Sequence, residues 1–277
     1  MEYIPFTKVE AIGNSFVLVN GIAMREMDWP ALAIEMCEHH FGVGSDGLLV
    51  LKPSDKADFK MLMFNPDGTP DSCGNGLRCM AVYVREAGLT AKREIVFEAR
   101  DGLRQAEIIP GGVRMNMGRP SLRAADIPST LGGELINYPL EARRQTFNVT
   151  AVVVGTPHAV ICAPLEAFWE TIPPVSAEIE NHPAFPERIN VTWCACESPD
   201  SLRIRTWERG IGPTLGCGTG ASAALVAANL NGFESTRATV TSPGGSLLVE
   251  WPEKGDLFVS GPANIVYKGE WSVNNME

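Results

Sequence analysis

The 277-residue sequence has no basic run: 23 Lys and Arg are outnumbered by 33 Asp and Glu, for a net charge of −10. Nucleic acid and anionic membrane surfaces both require a positive face, so neither is an expected partner. No apolar stretch approaches the length of a bilayer span. The opening "MEYIPFTKVE" lacks the charged-then-apolar order of a secretory signal. The expected compartment is the cytoplasm. The seven cysteines (Cys37, Cys73, Cys79, Cys162, Cys194, Cys196 and Cys217) are odd in number and scattered, which points to thiols rather than a disulfide framework. Cys194 and Cys196 alternate along a strand and share a face. They do not form a C-x-x-C pair, and no second pair stands at zinc-ligand spacing. G-x-x-x-x-G-K-[ST] and G-x-S-x-G are absent, which argues against nucleotide hydrolysis and the usual Ser-hydrolase arrangement. "GVGSDG" (42–47) satisfies G-x-G-x-x-G, but a helical pattern precedes it and a strand pattern follows, the reverse of a dinucleotide site.

What is present is an ordinary globular composition, 45% hydrophobic and 20% charged, in a length that holds one large domain or two of ordinary size. Two stretches repeat one arrangement. In "FNPDGTPDSCGNGLRC" (64–79) and "WERGIGPTLGCGTGASAA" (207–224) a cysteine precedes Gly-x-Gly and then a helical pattern. Gly102 follows Cys73 by 29 residues and Gly245 follows Cys217 by 28. Each glycine stands in a strand-turn-strand pattern with a proline at the turn (Pro110, Pro252), ending on Gly118 or Gly261. The chain reads as one long internal duplication.

"FVLVN", "GLLVL", "DFKMLMFN", "AVVVGTPHAVICA" and "SLRIRTWE" read as strands. "WPALAIEMCEHH" reads as a helix ending at His39 and His40, where imidazole suits the dipole. Leu77, Met80, Ala81 and Val84 predict a helix from Gly76 closed by Gly88, and "ASAALVAANLNG" predicts another from Gly220 to Asn231-Gly232. Residues 166–188, rich in Pro and Glu, read as a connecting excursion. Cys37, Cys79 and Cys162 read as core thiols. Each half is then a set of strands with one central helix, and each central helix begins at a cysteine loop.

The first N–H groups of a helix have no intrahelical partner, and the dipole adds partial positive charge there. That end stabilises an anion and lowers a thiol's pKa. Gly74, Gly76, Gly218 and Gly220 keep side chains away from those N–H groups. Each loop can therefore hold a carboxylate and present a base or acid beside it. With two such loops on one cleft, one thiolate takes a proton from a carbon and the other thiol returns one to the opposite face, inverting a stereocentre without a cofactor.

"VEAIGNSFVLVN", "HFGVGSDGLLVL", "FNPDGTPDSCGNGLRC", "GTPHAV", "FPERINV" and "ERGIGPTLGCGTGASA" resemble, in order and spacing, the diaminopimelate epimerase family over nearly the whole chain. The resemblance implies an α/β (α+β) fold of two pseudo-symmetric domains, each a curved, mostly antiparallel sheet around a central helix. The expected halves are 1–118, with a returning C-terminal strand in 263–277, and 119–262. It implies a homodimer acting on a small amino acid: epimerisation of LL- to meso-2,6-diaminopimelate without pyridoxal phosphate, a step toward lysine and cell-wall peptide. Cys73 and Cys217 match the catalytic cysteines, and His158 and Glu208 the side chains that assist them. Asn14, Asn65, Asn190 and Arg209 match substrate-holding side chains. Gly74, Asn75, Gly218 and Thr219 match the cradle of the reacting carboxylate. No metal or organic cofactor is implied.

Two positions depart from the family. Thr156 stands where an Asn is usual, and its hydroxyl lacks a carboxamide's reach and double function. Gly47 stands where many members carry Gln. Both leave the proton transfer untouched and bear on the far end of the substrate, so another amino acid stays open as substrate. Taken singly, the residues have plainer readings: buried inert thiols for Cys73 and Cys217, a capping or core role for His158, a surface ion pair for Glu208 and Arg209, and turn positions for Asn14 and Asn65. A thiol redox protein and a binding protein without chemistry are the readings from other classes.

Overall fold

Strand-forming runs broken by Gly- and Pro-marked turns make sheet the main component of both halves. The computed structural model describes residues 2–273 and divides into two units, residues through Met115 with those from Gly261 onward, and Asn116–Ser260.

In the first unit the strands are β1 (Glu2–Ala11), β2 (Asn14–Asn20), β3 (Leu48–Lys52), β4 (Phe59–Phe64), β5 (Glu94–Ala99), β6 (Gly102–Ile109) and β7 (Gly112–Gly118). The chain's last strand, Asn264–Val273, lies beside β1. From that last strand through β1 to β7, neighbours pair antiparallel, antiparallel, parallel, antiparallel, parallel, antiparallel, antiparallel. Helix α1 (Trp29–Cys37) is opened by Asp28, whose carboxylate accepts the Ala31 N–H at 3.0 Å, with Pro30 in its first turn. Helix α2 (Gly74–Glu86) is the central one. Leu77, Met80, Ala81 and Val84 on it are buried, and Gly88 follows it at φ +70°, a conformation that favours glycine.

The second unit repeats the plan. Its strands are β8 (Tyr138–Ala142), β9 (Gln145–Val154), β10 (Thr156–Cys162), β11 (Asn190–Ser198), β12 (Ser201–Glu208), β13 (Gly212–Thr214), β14 (Arg237–Ser242), β15 (Gly245–Glu250) and β16 (Leu257–Gly261), with helices α3 (Ser176–Glu180) and α4 (Gly218–Leu230). From β8 to β12 and on through β14 to β16, the pairings run in the same order of antiparallel and parallel as in the first unit. Short β13, folded against the end of β12, is extra. Helix α4 separates β12 from β14 in the chain as α2 separates β4 from β5. The two halves share one topology with a permutation: β8 leads the second copy, and the chain's last strand takes that place in the first. Ala221 through Ala228 of α4 are all buried, and the five alanines and one serine among them let the sheet approach the helix closely.

The structure changes four local expectations. Helix α1 stops at Cys37, and His39 and His40 lie beyond it in a turn held by the Glu38 carboxylate, which accepts the His40 and Phe41 N–H groups. "AVVVGTPHAVICA" is two antiparallel strands, because Gly155 at φ +72° turns the chain between β9 and β10. Residues 166–188 are more than an excursion: Phe168, Ile172, Val175, Ile179, Ala184 and Phe185 are buried and close the second unit's core around Trp193. Cys162, at the exposed end of β10, is not a core thiol, whereas Cys37 and Cys79 are buried.

Candidate active site

Cys73 and Cys217 hold the same position in their two units: each is the N-cap of its unit's central helix. Their backbone angles nearly coincide, φ −141° and ψ 121° against φ −131° and ψ 114°. The Cys73 Sγ accepts the Gly76 N–H at 3.5 Å, and the Cys217 Sγ accepts the Gly220 N–H at 3.4 Å. Sulfur is a weak acceptor, and Ser, Thr, Asp and Asn are the side chains that stabilise this position. A cysteine there twice gives up capping strength in both helices and places a thiol at the positive end of each dipole.

The glycines after the cysteines do not all serve the ligand side. A Cβ on Gly76 would stand 2.9 Å from Leu49 Cδ2. On Gly220 it would stand 2.7 Å from Thr206 Oγ1 and 3.2 Å from Thr192 Oγ1. Both glycines therefore let the helix start press against its own sheet, rather than clearing room for a substrate as the sequence argument held. Gly220 meets two buried hydroxyls that have partners of their own. Gly220→Ala is expected to cost about 1–3 kcal/mol in urea unfolding and to lower the alkylation rate of Cys217. Equal stability in the two proteins would show that the contact is harmless.

In the first unit, Gly13 at φ +81° delivers Asn14 to the start of β2. Asn14 Oδ1 accepts from Cys73 Sγ at 3.7 Å and from Asn75 Nδ2 at 3.4 Å. Asn75 Oδ1 in turn accepts from Arg78 Nη2 at 2.7 Å. Gly74 is the first residue of α2. Asn65 is not brought into this chain of contacts: its Nδ2 donates to Thr69 Oγ1 at 3.1 Å and to Asp71 Oδ2 at 3.3 Å, holding the turn after β4. Gly47 is closely packed, since a Cβ there would stand 2.9 Å from the Phe64 carbonyl oxygen.

The second unit uses a matching turn. Gly155, like Gly13, precedes the strand, and Thr156 opens β10 where Asn14 opens β2. His158 on β10 is fully buried. Its Nδ1 is 3.0 Å from Thr192 Oγ1, and its Nε2 is 3.0 Å from Thr219 Oγ1 and 3.3 Å from Thr156 Oγ1. Thr219 Oγ1 is 3.2 Å from Cys217 Sγ, so the imidazole reaches the thiol through one hydroxyl. Burial, with a smaller contribution from the Arg209 charge, pulls His158 down from 6.5 to about 3, which keeps the ring neutral. Asn190 Nδ2 donates to the Pro157 carbonyl at 2.8 Å and to Thr156 Oγ1 at 3.3 Å, while its Oδ1 accepts the Arg209 N–H at 2.9 Å. Arg209 Nη1 donates to the Glu187 carbonyl at 3.0 Å. Glu208 ends β12 and accepts the Thr214 hydroxyl at 2.7 Å. Gly218 begins α4.

Each half thus carries a capped thiol tied by amides or hydroxyls to the residue that opens the adjoining strand. The model of the diaminopimelate epimerase family matches residues 6–123 and 150–266, most of the chain and both cysteine loops. The chain belongs to the diaminopimelate epimerase family. It is 45% identical over 276 residues to a diaminopimelate epimerase of Desulforudis audaxviator, covering 96% of this chain and 98% of that one. It is 42% identical to one of Pelotomaculum thermopropionicum, with the same coverage. The family is one of isomerases. Among solved structures, a phenazine biosynthesis protein of the PhzF family from Enterococcus faecalis matches with a TM-score of 0.72 at 15% identity, covering 98% of this chain and 100% of that one. A probable proline racemase from Agrobacterium radiobacter matches with a TM-score of 0.71 at 15% identity, covering 99% and 94%. At such identity these two speak for the fold, an α/β arrangement of two domains.

Arg78, Thr192 and Thr206 belong to the site's surroundings and were not singled out from sequence. The signal for Arg78 was its place near the start of α2, where the dipole disfavours a cation. The signal for the threonines was their hydroxyls in apolar strands, where Thr192 and Thr206 face each other in register.

Proposed function

We propose that the chain interconverts LL- and meso-2,6-diaminopimelate without pyridoxal phosphate, using Cys73 and Cys217 as its two proton carriers. The observation that carries this reading is the repeated N-cap: two helices of one topology, each opened by a thiol that is a poor cap. In the mechanism, one cysteine as thiolate removes the α-proton. The other, as thiol, delivers a proton to the opposite face, and the two exchange roles for the reverse direction. The N–H groups at Gly74, Asn75, Gly218 and Thr219 hold the reacting carboxylate, where helix dipoles offset the charge that builds on it. Asn14, Asn65, Asn190 and Arg209 hold the substrate's other polar groups, and Glu208 assists the proton transfer. His158 assists as a neutral hydrogen-bond partner of Thr219, since burial denies it a charge.

A second reading, epimerisation of a different amino acid, is favoured by Thr156, whose hydroxyl lies in hydrogen-bond reach of His158, Thr219 and Asn190 where the family usually has Asn. The reduced protein with LL-diaminopimelate in deuterated water, followed by proton NMR, decides between them. The expected result is deuterium at one α-carbon together with meso product. No exchange with this substrate, beside exchange with another L-amino acid from a panel, would replace the first reading by the second. We also propose a cytoplasmic homodimer, as the family resemblance implies. A sedimentation mass equal to a single chain would sink the dimer.

A further inference from the structure

The two cradles differ in what lies behind the thiol. In α4 the fifth residue after the cysteine is Ser222, whose hydroxyl donates to the Gly218 carbonyl at 2.9 Å. In α2 the fifth residue after the cysteine is Arg78, which is 1% exposed and among the largest fully buried side chains. A buried guanidinium is expensive unless something of opposite charge offsets it. Among the described residues no carboxylate lies within ion-pairing distance of Arg78. Its hydrogen bond goes to an amide, Asn75 Oδ1 at 2.7 Å, and its Nε has no partner among the described residues.

We propose that Arg78 is a positioning residue for Cys73: a fixed buried cation that favours the Cys73 thiolate, at a helix position that Ser222 holds in α4. This inference rests on the two-thiol reading. A guanidinium only donates, so Asn75 must turn its carbonyl to Arg78 and its NH2 to Asn14, which sets the orientation of both amides beside the sulfur. The S–H to Asn14 contact at 3.7 Å is long and weak, and it is outweighed by a full charge shielded from solvent. The other titratable groups facing Arg78 are Cys79 on the same helix and Glu10 on β1. Cys79 is held protonated by burial, and Glu10 is engaged by the Gly13 N–H and Asn264 Nδ2. On the Cys217 side stand the neutral His158, threonine hydroxyls and the Arg209 charge that acts on His158.

The test is the pH dependence of iodoacetamide alkylation, read separately for each thiol by peptide mass spectrometry, in the parent, R78M and R78K. In R78M the Cys73 midpoint is expected to rise by about one unit, a roughly tenfold slower reaction at neutral pH, with Cys217 changing less than twofold. R78K keeps the charge and is expected to restore most of the shift. R78Q keeps a donor for Asn75 without the charge and is read in the same way if R78M does not fold. An unchanged Cys73 midpoint in either folded, uncharged variant overturns the proposal, as does an equal change at Cys217. The readout needs no substrate, so a shifted midpoint in a protein that fails to epimerise would sink the reading above and leave this one standing.

Discussion

Serine in place of either cradle cysteine is expected to leave the fold intact and to lower epimerisation at least ~10³-fold, the upper range of a lost acid or base. The side chain has two separable jobs here. As a cap it accepts one N–H, Gly76 for Cys73 and Gly220 for Cys217, and a serine hydroxyl does that better than a thiol. As a proton carrier it must ionise near neutral pH, which a hydroxyl does not do. Thermal unfolding should therefore stay level or rise slightly in Cys73→Ser and Cys217→Ser while turnover collapses. The double variant should be no slower than the worse single one, because the two groups act as a unit. A single variant retaining more than a tenth of the parent rate would remove that thiol from the mechanism.

The second large effect concerns acid. His158 ordinarily would titrate at 6.5, and in the fold burial brings it to about 3. As the pH falls through 6.5 the unfolded chain takes up a proton at this ring and the folded chain does not. The stability associated with the neutral ring is complete above pH 6.5 and is lost progressively as the pH falls toward 3. The slope is ~1.4 kcal/mol per pH unit, so about 2–3 kcal/mol is gone by pH 4.5. Urea unfolding of the parent and of His158→Asn at a series of pH values checks this. The parent curve should descend more steeply than the variant's below pH 6.5. Parallel curves would mean that the ring takes up its proton in the fold as readily as in the unfolded chain.

The duplication was legible because its landmarks are backbone requirements. Gly102, Pro110, Gly245 and Pro252 fall at strand starts and turns that tolerate few other residues. The central helices were legible from period alone, since Leu77, Met80, Ala81 and Val84 form one buried stripe. What stayed hidden was whatever depends on contacts distant in sequence. Residues 166–188 are full of Pro and Glu, yet their scattered Phe168, Ile172 and Phe185 fill a core that no local pattern announces. Arg78 looks like any helical arginine until its burial is known. The two cysteines, His158, Asn14, Asn75, Asn190 and Thr219 stand in the quoted motifs, and within each unit hydrogen bonds link them into a local network. Asn65, from the same motif, stands outside these networks, and its Nδ2 donates within its own turn to Thr69 and Asp71. The correspondence of Asn14 with Thr156 needed the strands to be seen, because Gly13-Asn14 and Gly155-Thr156 share only the glycine.

The placement of the last strand has a consequence for how the molecule is made. The second unit, Asn116–Ser260, is one uninterrupted stretch and has all its strands as soon as it leaves the ribosome. The first unit is synthesised earlier but stays open along β1, whose neighbour Asn264–Val273 emerges only after the whole of the second unit. Until then β1 presents a ten-residue row of backbone donors and acceptors, the kind of edge on which chains pair with one another. Chains stopped before Asn264 would carry a finished second half and a first half with an adhesive margin. The arrival of Asn264–Val273 therefore closes an edge that the rest of its own unit leaves unpaired.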